Sequence, residues 1–198
     1  MTNKSAKSTA KPSDVRATQK ITHTKAGLPA TLGTGIVSSA HLASPRSVEL
    51  SEFEFGMIIA SNAFNRWAVR CMAAAGLRDL TTMDVLVLHH VHHRARNKKL
   101  ADICFILNVE DTHVVGYALK KLVSLGVVET EKVSKEVTYC TSDLGRQYVE
   151  TYREIRERCL VSSISADGHE NPEIRDLARV LRTLSGLYDQ AARAAASL

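Results

Sequence analysis

No apolar run in this 198-residue chain approaches the roughly 18–20 residues that a membrane span needs, and no signal peptide is visible. The four cysteines, Cys71, Cys104, Cys140 and Cys159, lie far apart with no CxxC pair. That removes metal-type spacing and makes a reduced compartment the simpler reading. No HExxH motif occurs, and no nucleophile–base pattern stands out, so an enzyme is not expected. Residues 1–48 hold no aromatic side chain and a single acid, Asp14.

What the remaining 150 residues lack is an excess of charge. Residues 1–48 carry a net +6 from Lys4, Lys7, Lys11, Arg16, Lys20, Lys25 and Arg46, while residues 49–198 sum to −1. The isoelectric point near 9.1 therefore belongs to the tail. A body of this kind is not a uniformly basic nucleic-acid binder, so any contact with a polyanion must rest on local placement of charge. The tail shows neither helical nor alternating periodicity and cannot offset its ordering entropy by burial. It is expected to be a disordered basic segment, with residues 49–198 as the folded domain. A transit peptide would want an amphipathic stripe, which is absent here.

What is present is helical patterning with clear punctuation. Ser51 and Glu54 form a capping-box pattern ahead of Phe55, Ile59, Ala63, Trp67 and Cys71, with Phe64, Ala68 and Met72 in the next row and Gly76 as the stop. A second helix starts at Thr81–Thr82, turns Val85, Leu88 and Val91 inward and ends near Arg94. A short apolar helix follows in "LADICFILN", then a turn at Asn108–Val109. The next helix is capped by Asp111 or Thr112, has Val115, Leu119 and Leu122 as core and stops at Gly126. "VVETEKVSKEVTYC" has strand content around a polar centre at Ser134–Glu136 and reads as a small hairpin. A helix runs from Ser142, and Asn171-Pro172 opens the last one.

Three helices with a tight turn before the third, followed by a two-stranded hairpin, make a winged helix-turn-helix. The fold class is mainly α with a small β-hairpin wing. Long helices at about 52–75, 143–160 and 172–195 suit a dimerisation layer, and an isologous homodimer is expected.

The stretch "HHVHHRARNKK" places His89, His90, His92 and His93 just ahead of Arg94, Arg96, Lys98 and Lys99. His89 and His93 stand at i, i+4, as paired helical zinc ligands do, but nothing supplies further ligands. The competing readings are a helix C-terminus that favours cationic side chains, a phosphate or partner contact, and a metal site. No metal and no cofactor is expected. Cys71 and Cys104 sit in apolar rows, whereas Cys159, beside Arg156 and Arg158, is the candidate for a reactive thiol.

Leu100-Ala101, then Lys120-Lys121-Leu122 with Gly126, then Thr141 with Gly145, in this order and spacing, resemble the MarR-type winged helix-turn-helix transcriptional regulators over roughly residues 51–195. The resemblance implies a bacterial regulator of transcription, cytoplasmic and nucleoid-associated, that binds double-stranded DNA as a homodimer. It implies a recognition helix in the major groove and a wing on the backbone. Core spacing leaves Thr112, His113, Gly116, Tyr117 and Lys120 on the outward face of that helix. Where the family's wing carries an Asp-x-Arg, this hairpin offers Lys132, Ser134 and Lys135. Arg94, Lys98 and Lys99 are candidates for phosphate positioning, against a solvated loop. Relatives of this type bind phenolic or lipophilic anions between the dimer layer and the DNA-binding lobe, but no residue here can be assigned to such an effector. The alternative function is a winged-helix protein–protein interaction module without specific DNA binding.

Overall fold

The computed structural model describes residues 47–133, 136–164 and 171–198. The expected tail up to residue 46 and the wing-tip residues Ser134 and Lys135 lie outside the described residues. Contacts divide the chain into Met1–Glu52 and Phe53–Leu198. Of the first unit, the described residues 47–52 contribute only the opening of a helix.

That helix, α1, spans Val48–Ala74. It begins a turn before the expected cap, so Ser51 lies inside it. Glu54 does not close a capping box but accepts a hydrogen bond from the Tyr188 hydroxyl at 2.8 Å. An added turn of helix supplies carbonyls to the same N–H groups that a serine cap would have satisfied. At its other end Gly76 takes φ +105°, and the Leu77 N–H donates back to Met72 O at 3.1 Å.

Helix α2 (Thr82–His92) is capped reciprocally. The Asp84 N–H donates to the Thr81 hydroxyl at 3.2 Å, and the Thr81 N–H donates to the Asp84 carboxylate at 2.7 Å. A 3-10 turn (His93–Ala95) leads to strand β1 (Lys98–Lys99) and then α3 (Leu100–Leu107). Helix α4 covers Thr112–Ser124. Strands β2 (Val128–Val133) and β3 (Glu136–Thr141) form the wing, and β3 is central in a three-stranded antiparallel sheet ordered β1-β3-β2. The third strand is an addition to the expected hairpin. Lys98 pairs with Tyr139 and Lys99 with Thr138. Two residues carry no alternation from which such a strand could be read.

Helix α5 (Asp143–Arg156) passes through a π-helical turn (Glu157–Val161) into the short α6 (Ser162–Ile164), and α7 covers Pro172–Ala195. The Ser142 hydroxyl ties the start of α5 to the sheet, accepting from the Gly145 N–H at 3.0 Å and donating to Gly126 O at 2.6 Å. Gly145 sits against the strand: a Cβ there would lie 2.0 Å from Val127 O and 2.7 Å from Thr141 Cγ2. The Thr–x–x–x–Gly step is thus a close crossing of helix over strand.

The core fills the space between α1, α2, α3, α4 and the sheet. Met72, Val85, Leu88, Ile103, Leu119, Leu122 and Val127 have no accessible surface. Full burial of each such side chain stabilises by roughly 1.5–3 kcal/mol. Burial also raises the pKa of the Cys71, Cys104 and Cys140 thiols, keeping them protonated. Cys159 is exposed in the π-helical turn. No helix among the described residues is long and apolar enough to cross a membrane.

Candidate nucleic-acid interface

The orientation of α4 follows from its two ends and one ion pair. Asn108 ends α3 in the left-handed region, φ 52°, and the Val109 N–H donates to Cys104 O at 2.9 Å. This is the tight turn of the helix-turn-helix. Asp111 caps α4 by accepting from the His113 N–H at 2.9 Å. Val115, Ala118, Leu119 and Leu122 are buried, which fixes the rotation of the helix. Lys121 locks it further, donating to the buried Asp84 carboxylate at 3.0 Å and to Asp79 O at 2.5 Å. The capping acid of α2 therefore also anchors α4. The Thr81-x-x-Asp84 pattern pointed to a cap, but nothing local pointed to its cation 37 residues on.

With that rotation, Thr112, His113, Tyr117 and Lys120 are exposed. Tyr117 is 70% exposed, and the Lys120 ammonium stands 5.6 Å from its ring centroid. A contact of this kind at an exposed site is worth about 0.5–1 kcal/mol and orients both groups outward. Gly116 lies between them with nothing within 4 Å of where a Cβ would sit. Close packing against another helix of the protomer therefore does not explain the glycine.

Among the candidate backbone contacts, the structure separates three lysines that look alike in the sequence. Lys132 is exposed on β2. The Lys99 ammonium is paired with Glu136 at 2.6 Å, which raises its pKa. Together with Leu100, Ala101, Thr112 and Val137, this pair lines a cleft of about 330 Å³ between the wing and the starts of α3 and α4. Lys98 is a correction. It is only 3% exposed, and its ammonium donates to His93 O at 2.6 Å and Arg96 O at 3.0 Å. Desolvation first, then Arg96 and Arg94, lower its pKa. A lysine held this way braces the loop from inside and has no reach to a phosphate. Arg94 is exposed on that loop in a left-handed backbone, φ 63°, away from the Lys99 cleft.

The wing is also more acidic than its lysines suggest. Glu129, Glu131 and Glu136 are all exposed on it. Two of these are held from the loop before α3: Asn97 donates to Glu131 at 2.5 Å, and Lys99 pairs with Glu136.

The four histidines diverge. His89 points towards α5, edge-on to Tyr152 with centroids 4.4 Å apart, and its Nε2 is buried without a partner among the described residues. Burial, and secondarily His92, lower its pKa to about 4. It lines a cavity of about 540 Å³ with Phe64, Ala68, Tyr152, Arg153 and Arg156. His90 and His93 face a different groove, beside Arg94 and Phe105. The i, i+4 pair His89 and His93 thus does not converge. No group of three or more His, Cys, Asp or Glu that could hold a metal occurs among the described residues.

Comparison with known proteins agrees with this architecture. The family described as the winged helix DNA-binding domain matches residues 80–145. A solved structure of AbfR of Staphylococcus epidermidis is 19% identical, covers 71% of this chain and 93% of its own, and superposes with a TM-score of 0.57. A structure described as the MarR family transcription regulator SP03579 is 12% identical over 75% of this chain and 95% of its own, TM-score 0.58. The oxidised form of MarR from E. coli is 17% identical over 65% and 90%, TM-score 0.50. At these identities the likeness is one of fold: a MarR-like winged helix. Among curated proteins no sequence matches this chain.

Proposed function

We propose that this chain, built on the MarR-like winged-helix fold, is a homodimeric transcriptional regulator that binds duplex DNA sequence-specifically. The observation that carries this reading is the outward row Thr112, His113, Tyr117 and Lys120 on a helix whose rotation is locked by Asp84–Lys121. In the major groove, Tyr117 and His113 would meet base edges or a thymine methyl, and Lys120 a phosphate or guanine. The open space at Gly116 leaves room for the helix backbone to approach the groove floor. Lys132 on the wing would take the backbone.

The dimer is supported by α7. None of its described residues is buried, yet Ile174, Leu177 and Leu181 recur at helical spacing, and Val180 and Leu187 are exposed beside that row. On α1, Ile58 and Ile59 are exposed as well. A second copy would cover these rows isologously. The cavity between α1, α2 and α5, with Arg153 and Arg156 at its wall, is where an anionic aromatic effector would enter.

The test is a site selected from random duplex by the purified protein. Tyr117→Ala should cost about 1–3 kcal/mol on that site and little on random duplex. Lys132→Ala should weaken both by similar factors and shallow the slope of log K against log salt by about one. Tyr117→Ala leaving the preference intact would defeat the assignment of the base-reading face. Absence of duplex binding even at low salt would hand the fold to the protein–protein interaction reading.

A further inference from the structure

At the corner between α2 and α3 lies a half-open groove of about 760 Å³ that the DNA reading leaves unused. One wall is the end of α2 and its 3-10 turn, with His90, His93, Arg94 and Arg96. The other is α3, which presents Phe105 and Ile106 at 81% and 60% exposure. We propose that this groove docks an acidic segment of a partner protein that also carries apolar side chains.

Three observations carry the proposal. The first is charge without a counterpart. No ion pair or side-chain hydrogen bond joins Arg94 or Arg96 to a carboxylate among the described residues, and these two carry the charge of the groove, since burial lowers the pKa of His90. The one acid in the lining, Asp102, accepts from the Lys99 N–H at 3.4 Å and acts through space on His90 and Lys98, with no ion pair to either arginine. The second is rigidity. The buried Lys98 ammonium holds both His93 O and Arg96 O, so the loop is braced from beneath, and its charge adds to the positive field of the groove. Arg94 is kept in a left-handed backbone conformation that a non-glycine residue rarely adopts, with its side chain on the groove. The third is apolar surface. A phenylalanine so exposed on a short helix, next to an exposed isoleucine, gains nothing in water.

The combination selects the occupant. A DNA backbone would answer the cations but offers no apolar surface to cover Phe105 and Ile106. Residues 1–46 of this chain carry seven Lys and Arg against Asp14, the wrong sign for the groove. Acidic side chains for the two guanidinium groups, with an aromatic or aliphatic anchor for α3, satisfy both walls. Interfaces built on such an anchor and an arginine concentrate their binding energy there.

The experiment uses the full chain and three labelled probes in fluorescence anisotropy. These are a peptide of about 20 residues alternating Glu or Asp with Leu and Phe, an oligoglutamate of equal charge, and a random duplex. The amphipathic peptide should bind at least about tenfold more tightly than oligoglutamate, and Phe105→Ser or Arg94→Gln/Arg96→Gln should each weaken it by about tenfold or more. All three side chains are exposed, so thermal melts of the variants should match the parent chain. No binding of the amphipathic peptide, equal binding of oligoglutamate, or indifference to Phe105→Ser overturns the proposal. So does a loss of duplex rather than peptide binding in the arginine variant, which assigns the groove to DNA. Dissociation of the dimer by Phe105→Ser would assign it to a second copy. The peptide result does not depend on whether duplex DNA binds.

Discussion

Replacing His89 with phenylalanine probes the interior of the fold through its pH dependence. The His89 ring packs edge-on against Tyr152 with an interplanar angle of 66°, and its buried Nε2 has no hydrogen-bond partner among the described residues. Burial lowers its pKa from 6.5 to about 4, so the folded chain holds the imidazole neutral where the unfolded chain binds a proton. Stability therefore falls as pH drops through 6.5, and the loss is complete below about 4. The full difference corresponds to about 3 kcal/mol, of which about 2 kcal/mol is already lost at about pH 5. Phenylalanine keeps a flat ring against Tyr152 but cannot be protonated, and it removes a buried nitrogen that lacks a partner, a gain of about 1 kcal/mol near neutral pH. His89→Phe should thus equal or exceed the parent chain at about pH 7.5 and lead it by about 2 kcal/mol more at about pH 5. The assay is urea unfolding at a fixed protomer concentration, since dimerisation would otherwise shift both curves. His90, His92, Glu150, Arg153 and Arg156 around the site are common to both proteins, so their own titration largely cancels in the difference. A gap that stays constant between these two pH values would refute the argument.

Two glycine substitutions should move stability in opposite directions. Gly145→Ala puts a methyl 2.0 Å from Val127 O, so α5 must shift off the sheet; a loss of about 3 kcal/mol or more is expected in urea or thermal melts. Wild-type stability in that variant would show that the crossing is loose. Gly116→Ala meets nothing within 4 Å and should stabilise the protein by about 1 kcal/mol through helix propensity. If the helix backbone approaches duplex DNA closely, the same variant should bind DNA more weakly while melting higher. Unchanged affinity for the selected site would remove that role from Gly116.

Much of the fold could be read from local chemistry. Thr81, Asp111, Ser142 and Asn171 each accept a hydrogen bond from a backbone N–H in the first turn of their helix. Gly76 and Gly126 both take the left-handed conformation expected of them. The inward row of α4 and the outward placement of Tyr117 follow from periodicity alone, because a buried stripe at 3.6 residues per turn defines its opposite face. The exception was Ser51: a capping box is a local preference worth about 1 kcal/mol, and α1 starts a turn earlier.

What only the tertiary structure decided are the partners across space. In "RARNKKL" the sequence presents four equivalent cations, yet Lys98 is buried under its own loop, Lys99 is paired with Glu136, and the two arginines face a groove with Phe105. Asp84 and Lys121, Gly145 and Val127, and His89 and Tyr152 likewise meet from distant positions. Amino-acid order by itself determined which elements form and which face of each is apolar, since these depend on neighbours within a turn or two. The fate of a charged or titratable group depends instead on its dielectric surroundings and on the groups opposite it, and both of these are set only when the elements pack.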